Sequence, residues 1–212
     1  MNHFLTKSGS IITSLGMSTQ NAHLKKQHIL EHESVLAHQL AAQVLDKPKP
    51  PIWMIFVPIF FVFFVQKMNQ YKSGLKDFVE NYLKSRRLAV EAALEAEETG
   101  IPTDLPKLTE TLGNIPDQAR PLFAAWMEVL IDHYRLLLAS QGNSHAALVR
   151  AGYRNKTNFL LFCNNLNKAE NAYSLALLPK LDGDNKDLHH VIEKIDACVT
   201  NLRRHDADTI FP

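Results

Sequence analysis

Apolar residues recur at three- and four-residue spacings along most of the chain, and no run of strict alternation competes with them, so the pattern reads as all-α. From about Ser18 to Leu45, residues Ile29, Leu36, Leu40 and Val44 fall on one side with Leu30, Ala37 and Ala41 beside them. His28, His32, Gln39 and Gln43 gather on the neighbouring polar arc, which predicts an amphipathic helix over 18–46 behind a mobile lead at 1–17. Asp46-Lys-Pro-Lys-Pro-Pro51 then forms a stiff, extended hinge.

Downstream, no helix-breaking pair occurs between Val65 and Thr99-Gly100-Ile101-Pro102, which predicts one long helix over 67–100. Counted in heptads, its seam is Tyr71, Leu75, Phe78, Tyr82, Ser85, Ala89, Ala92 and Ala96, bulky at first and small later. Small seam residues let a second helix approach closely, so the seam predicts antiparallel packing within the chain or pairing between copies. Residues 101–121, with Pro102, Pro106, Pro116 and Pro121, read as a linker carrying one short helix near Lys107–Leu112.

The remainder, 122–212, predicts a bundle of three or four antiparallel helices. One runs from Pro121 to Ser140 with Phe123, Met127, Leu130, Tyr134 and Leu137 inward, and a second from a Ser144 N-cap to about Leu178. The last starts near Asp184, buries Leu188, Ile192, Ile195, Val199 and Leu202, and frays at Arg203-Arg204-His205.

Between the two amphipathic segments lies Pro51–Val65, PIWMIFVPIFFVFFV, which carries no charge, amide or hydroxyl. Trp53, Ile55, Phe56, Phe60, Phe61, Phe63 and Phe64 cover the whole circumference of such a helix, and Pro58 predicts a kink. Fifteen helical residues rise roughly 22 Å, short of the roughly 30 Å hydrocarbon core of a bilayer. Three readings fit: a short transmembrane helix, a re-entrant insertion and a buried core helix.

Charge sharpens this picture only locally. The formal net charge of the 212 residues is +1, which gives no bias toward nucleic acid. From Lys67 to Arg87, however, Lys67, Lys72, Lys76, Lys84, Arg86 and Arg87 face only Asp77 and Glu80. A basic stretch beside an apolar element marks the cytoplasmic side and gains about 1 kcal/mol per residue near an anionic surface. Cys163 and Cys198 sit in apolar helical patterns and read as buried thiols of a reducing compartment. No cleavable signal peptide is expected from the N-terminal residues.

Motifs for chemistry are sparse. His28-Ile-Leu-Glu31-His32 has the H-x-x-E-H spacing that places two imidazoles one turn apart for zinc, with the glutamate as general base. The same residues also suit a solvated or interface-facing pair. Asp182-Gly-Asp184-Asn-Lys-Asp187 has the register of a calcium loop but lacks its glycine at the sixth position, and a turn with a helix cap accounts for it. Asp132-His133, His145 and His189-His190 stand without a partner assignable from spacing, and no glycine loop for phosphate occurs. Asparagine is dense between Arg150 and Asn171. Arg150, Arg154, Asn158 and Asn165 are the candidate partner surface there, against a solvated face with one or two buried amides.

These observations predict a single-pass, membrane-anchored, non-enzymatic accessory subunit, scaffold or adaptor at a bacterial inner membrane, its C-terminal part cytoplasmic. The expected partners are membrane lipid and protein, including further copies of the chain, with no cofactor or metal. The alternatives are a bundle that encloses a lipid or hydrophobic ligand and a zinc hydrolase built on His28 and His32.

Overall fold

The computed structural model describes residues 6–45, 59–110, 115–180 and 185–212. Among them are seven α-helices and no strand: α1 Thr6–Val44, α2 Ile59–Thr99, α3 Leu105–Glu110, α4 Arg120–Ala139, α5 His145–Tyr153, α6 Lys156–Leu177 and α7 Asn185–Ile210. All-α architecture and bundle packing are thus established. No described helix is long and apolar enough to cross a membrane. Trp53, Ile55, Phe56 and Pro58 lie outside the described residues, as do the proline hinge and Asp182–Asp184. Phe60, Phe61, Phe63 and Phe64 belong to α2, which continues without a break to Thr99.

Five helices form a closed ring in which α1 touches α2, α2 touches α4, α4 touches α6, α6 touches α7, and α7 returns to α1. Pairings fix their directions. Lys26 meets Glu91 while Leu45 reaches Gly74, so α1 and α2 are antiparallel. Tyr134 reaches Glu33 and Lys25 donates to the Leu138 carbonyl, so α4 opposes α1 and therefore parallels α2. A ring with an odd number of helices cannot alternate throughout. The parallel pair α2/α4 is where alternation fails, and residues 100–119, with α3 packed on α4, carry the chain back for it. Gly100 begins this return at φ 70°, a left-handed conformation that glycine adopts without a Cβ penalty.

The main core joins Ile29 of α1, Ala89, Val90 and Ala93 of α2, Met127, Leu130 and Tyr134 of α4, and Phe159 and Cys163 of α6. Ala89, Ala92 and Ala96 of the heptad seam are buried, whereas Leu75, Phe78 and Tyr82 are half-buried against α1 and Tyr71 is half-buried beyond its end. The bundle therefore takes in α1 and α2 and is not confined to the C-terminal half. Leu45 also sets a level: residues 59–73 of α2 continue past the end of α1 for roughly 22 Å.

Three local expectations need correction. Helix α1 begins at Thr6, within the segment read from its glycines and serines as a lead. The helix expected from Ser144 to Leu178 is two, because Arg154 turns to φ 67° and Asn155 caps a new helix by accepting the Asn158 amide N–H at 2.9 Å. Finally, α7 does not fray at Arg203 but runs to Ile210, with Ala207 and Ile210 in the core.

The Asn155 cap gives a direct check. Asn155→Ala should lower the unfolding free energy by about 1 kcal/mol through loss of that bond, measured by chemical denaturation; an unchanged midpoint would remove the cap from the account of the α5–α6 break.

Candidate functional site

A charged side chain in a ring of apolar helices must bring its own partners, and here they come from every helix of the ring. Arg86 was counted in the basic stretch beside the apolar run, yet its side chain is 1 % exposed and points to the bundle axis. Its guanidinium pairs with Glu170 of α6, lies 3.5 Å from Glu33 of α1, and donates to the Tyr82 hydroxyl at 3.0 Å. It also sits 4.2 Å above the Tyr82 ring and 5.4 Å from that of Trp126. Glu33 accepts from the Tyr134 hydroxyl at 2.8 Å and from Tyr82 at 3.3 Å. Glu170 in turn takes Arg203 of α7 at 2.8 Å, and Arg203 donates to Asn167, whose amide donates to Thr200 at 2.8 Å.

The charges in this cluster hold one another. Burial opposes ionisation of Glu170, but Arg203 and Arg86 prevail and take its carboxyl down to about 2. Burial likewise opposes the charge on Arg86, and Tyr82 and Glu170 outweigh it, so the guanidinium is held charged. Tyr82 is pushed up to about 12 by burial, which keeps its phenol protonated as a donor.

Next to Glu33 on α1, His32 donates from Nε2 to Asp206 of α7 at 3.0 Å. Its ring stacks on His145 of α5, with centroids 3.5 Å apart and planes within 8°. Burial lowers the pKa of His145 well below the usual range, whereas the Asp206 hydrogen bond overcomes burial at His32 and raises it. His133 is a separate, buried ring hydrogen-bonded to the Tyr153 hydroxyl at 2.8 Å and stacked on Phe162; burial takes it down to about 3. His28 pairs only with Glu31 on its own helix, at 3.7 Å, so the H-x-x-E-H spacing does not bring its two imidazoles to one centre.

Beside Arg86 opens a cavity of about 190 Å³, walled by Leu40, Phe78, Ile195 and Val199 with Arg86 and Glu170 on its polar side. Trp126 lines it too, stacked on Tyr173, and its indole N–H is buried without a hydrogen-bond partner. A site of this kind can enclose a small, largely apolar group and offer it a few fixed polar contacts.

The other residues singled out from the sequence are dispersed. Lys72, Lys76, Lys84 and Arg87 are exposed along α2, and Lys67 lies in the same helix. Arg150 donates to the Ile210 carbonyl and so ties α5 to the end of α7, and the Asn158 amide donates to the Tyr153 carbonyl and closes a local turn. Arg154 forms the turn itself, and Asn165 is exposed on the rim of a groove with Leu136, Leu161 and Phe162. The sequence reading missed Glu33, Glu170, Arg203 and Asp206. Their signal was present: Glu33 falls at helical spacing between Ile29 and Leu36, and Arg203 and Asp206 between Val199 and Ile210, each a charge inside an apolar stripe.

Compared with protein-family models, with curated proteins and with solved structures, the chain matches none.

Because the Glu170 pKa is depressed on folding, its ion pairs stabilise fully above the unfolded value near 4.5 and are lost as pH falls from there toward 2. Wild type should lose roughly 3 kcal/mol over that window from this group, and Glu170→Gln should be less stable at pH 7 with a flatter acid limb in denaturant titrations. Parallel acid limbs for the two proteins would show that Glu170 does not carry the effect.

Proposed function

We propose that this protein is a non-enzymatic adaptor or accessory subunit, held at a membrane by Pro51–Val65, with its helical bundle on the cytoplasmic side of a bacterial inner membrane. The observation that carries this reading is the register of α2. Residues 59–73 of α2 run past the end of α1, and the apolar residues Ile59–Val65 lie in that overhanging part of the helix. Exposed Lys72 and Lys76 sit next along the same helix, where basic side chains favour an anionic leaflet and the cytoplasmic side. For a protein partner, support comes from the α4–α6 groove, where Leu161 is 63 % exposed beside Leu136, Phe162 and Asn165.

Membranes carrying the full chain should retain it through alkaline carbonate and release it to detergent. Phe60→Lys combined with Phe64→Lys should move it toward the soluble fraction, since a charge at the centre of a spanning helix costs about 2.5–3.5 kcal/mol. Quantitative recovery of wild type in the carbonate supernatant would end the anchor reading.

The cavity beside Arg86 favours a second reading, in which the bundle binds a small hydrophobic ligand. Its roughly 190 Å³ compares with about 150 Å³ for an apolar protein cavity that takes up benzene. Saturating benzene should raise the melting temperature of wild type and not of Val199→Phe, where the new ring fills the space. Equal shifts in the two proteins, or none in wild type, would reject it.

A further inference from the structure

We infer that His32, His145 and Asp206 form a binding site for a divalent first-row transition ion, for which zinc is the natural probe. One nitrogen from each imidazole and one carboxylate oxygen lie within 4.8 Å of one another. A tetrahedral zinc site holds its ligand atoms about 3.3 Å apart, and His32 Nε2 and Asp206 Oδ2 are already 3.0 Å apart. Only His145 has to close, by at most about 1.5 Å.

Two further observations point to a ligand here. A cavity of about 30 Å³ adjoins the cluster, lined by these three residues with Glu33, Cys163 and Arg203, and that volume suits a single ion or water. The ion-paired cluster also holds three carboxylates, Glu33, Glu170 and Asp206, against two guanidiniums, Arg86 and Arg203, an excess of negative charge that favours a cation. An ion takes the place of the proton now shared by His32 and Asp206.

As they stand, the stacked rings direct their lone pairs side by side and not at a common centre. Coordination therefore tilts His145. It is the first residue of α5, and among the described residues no hydrogen bond fixes its ring. The His32 and Asp206 side chains are 24 % and 23 % exposed, so an ion reaches the site from solvent without unfolding the ring. Two imidazoles and one carboxylate leave a fourth position for water. His28 and Glu31 take no part.

The test uses the full chain in detergent, stripped with chelator and titrated with zinc against a chromophoric competitor, and in parallel with cobalt(II) read by its visible absorption. One ion per chain is expected. Affinity should fall at least tenfold in both His145→Ala and Asp206→Asn and stay unchanged in His28→Ala, with helical content checked by circular dichroism. Absence of saturable one-to-one binding by folded wild type would overturn the site. So would wild-type affinity and cobalt spectrum in folded His145→Ala and Asp206→Asn, or a loss in His28→Ala that they do not share.

Discussion

Arg86 sits where an apolar bundle would place a leucine, and the rest of the ring is arranged to make that tolerable. Removing a guanidinium from water costs several kcal/mol even after relaxation, and the cost is recovered only when hydrogen bonds and opposite charges surround it in good geometry. Here Glu33, Tyr82 and Glu170 supply them from three helices, and Tyr134 and Arg203 hold those partners from two more. An apolar side chain would accept many neighbouring helix registers. A forked donor held between two carboxylates accepts few, so the cluster fixes how far α1, α6 and α7 slide against α2.

The packing around the cluster divides into two regimes. Toward Thr99, α2 presents Ala89, Ala92, Ala93 and Ala96, and the parallel helix α4 comes in against that small face. Toward Ile59 the seam residues are larger, and they meet the small Ala37 and Ala41 of α1. Large against small is thus satisfied at both ends, with the ion pairs between. Each polar atom at the axis narrows the set of structures the sequence can adopt, and among the described residues Nε of Arg86, the indole N–H of Trp126 and Nδ1 of His32 mark the three places where that accounting is incomplete.

Helix content was legible because apolar spacing, proline and glycine stops, and the Ser144 cap are local properties. The α5–α6 break was not, since Lys156 continues the helical pattern and only the left-handed turn at Arg154 separates the two helices. The site was harder to read for a different reason. A lysine or arginine near an apolar run looks the same whether it faces lipid headgroups or a buried carboxylate. What separates Arg86 from Lys84 and Arg87 is its position at i+4 from Tyr82, on the inward seam, with acids 53 and 84 residues away in sequence. Likewise, ending α7 at Arg203 discarded Asp206, the carboxylate that pairs with His32 and groups with His145. Charge within an apolar stripe is informative only once another element is known to supply its counter-charge.

The closed ring also bears on how the chain is made. Glu33 and Arg86 leave the ribosome together early, whereas Glu170 and Arg203 come from the last quarter of the sequence, and the α7–α1 contact that shuts the ring spans 150 residues between Val44 and Lys194. At 5–20 residues per second, roughly 6–23 s separate synthesis of Arg86 from that of Arg203. For most of that interval Glu33 and Tyr82 are in the chain and Glu170 is not. The partners that complete the polar surroundings of Arg86 are therefore the last to be made, and the axis of the ring reaches its full set of ion pairs only with the C-terminal helices.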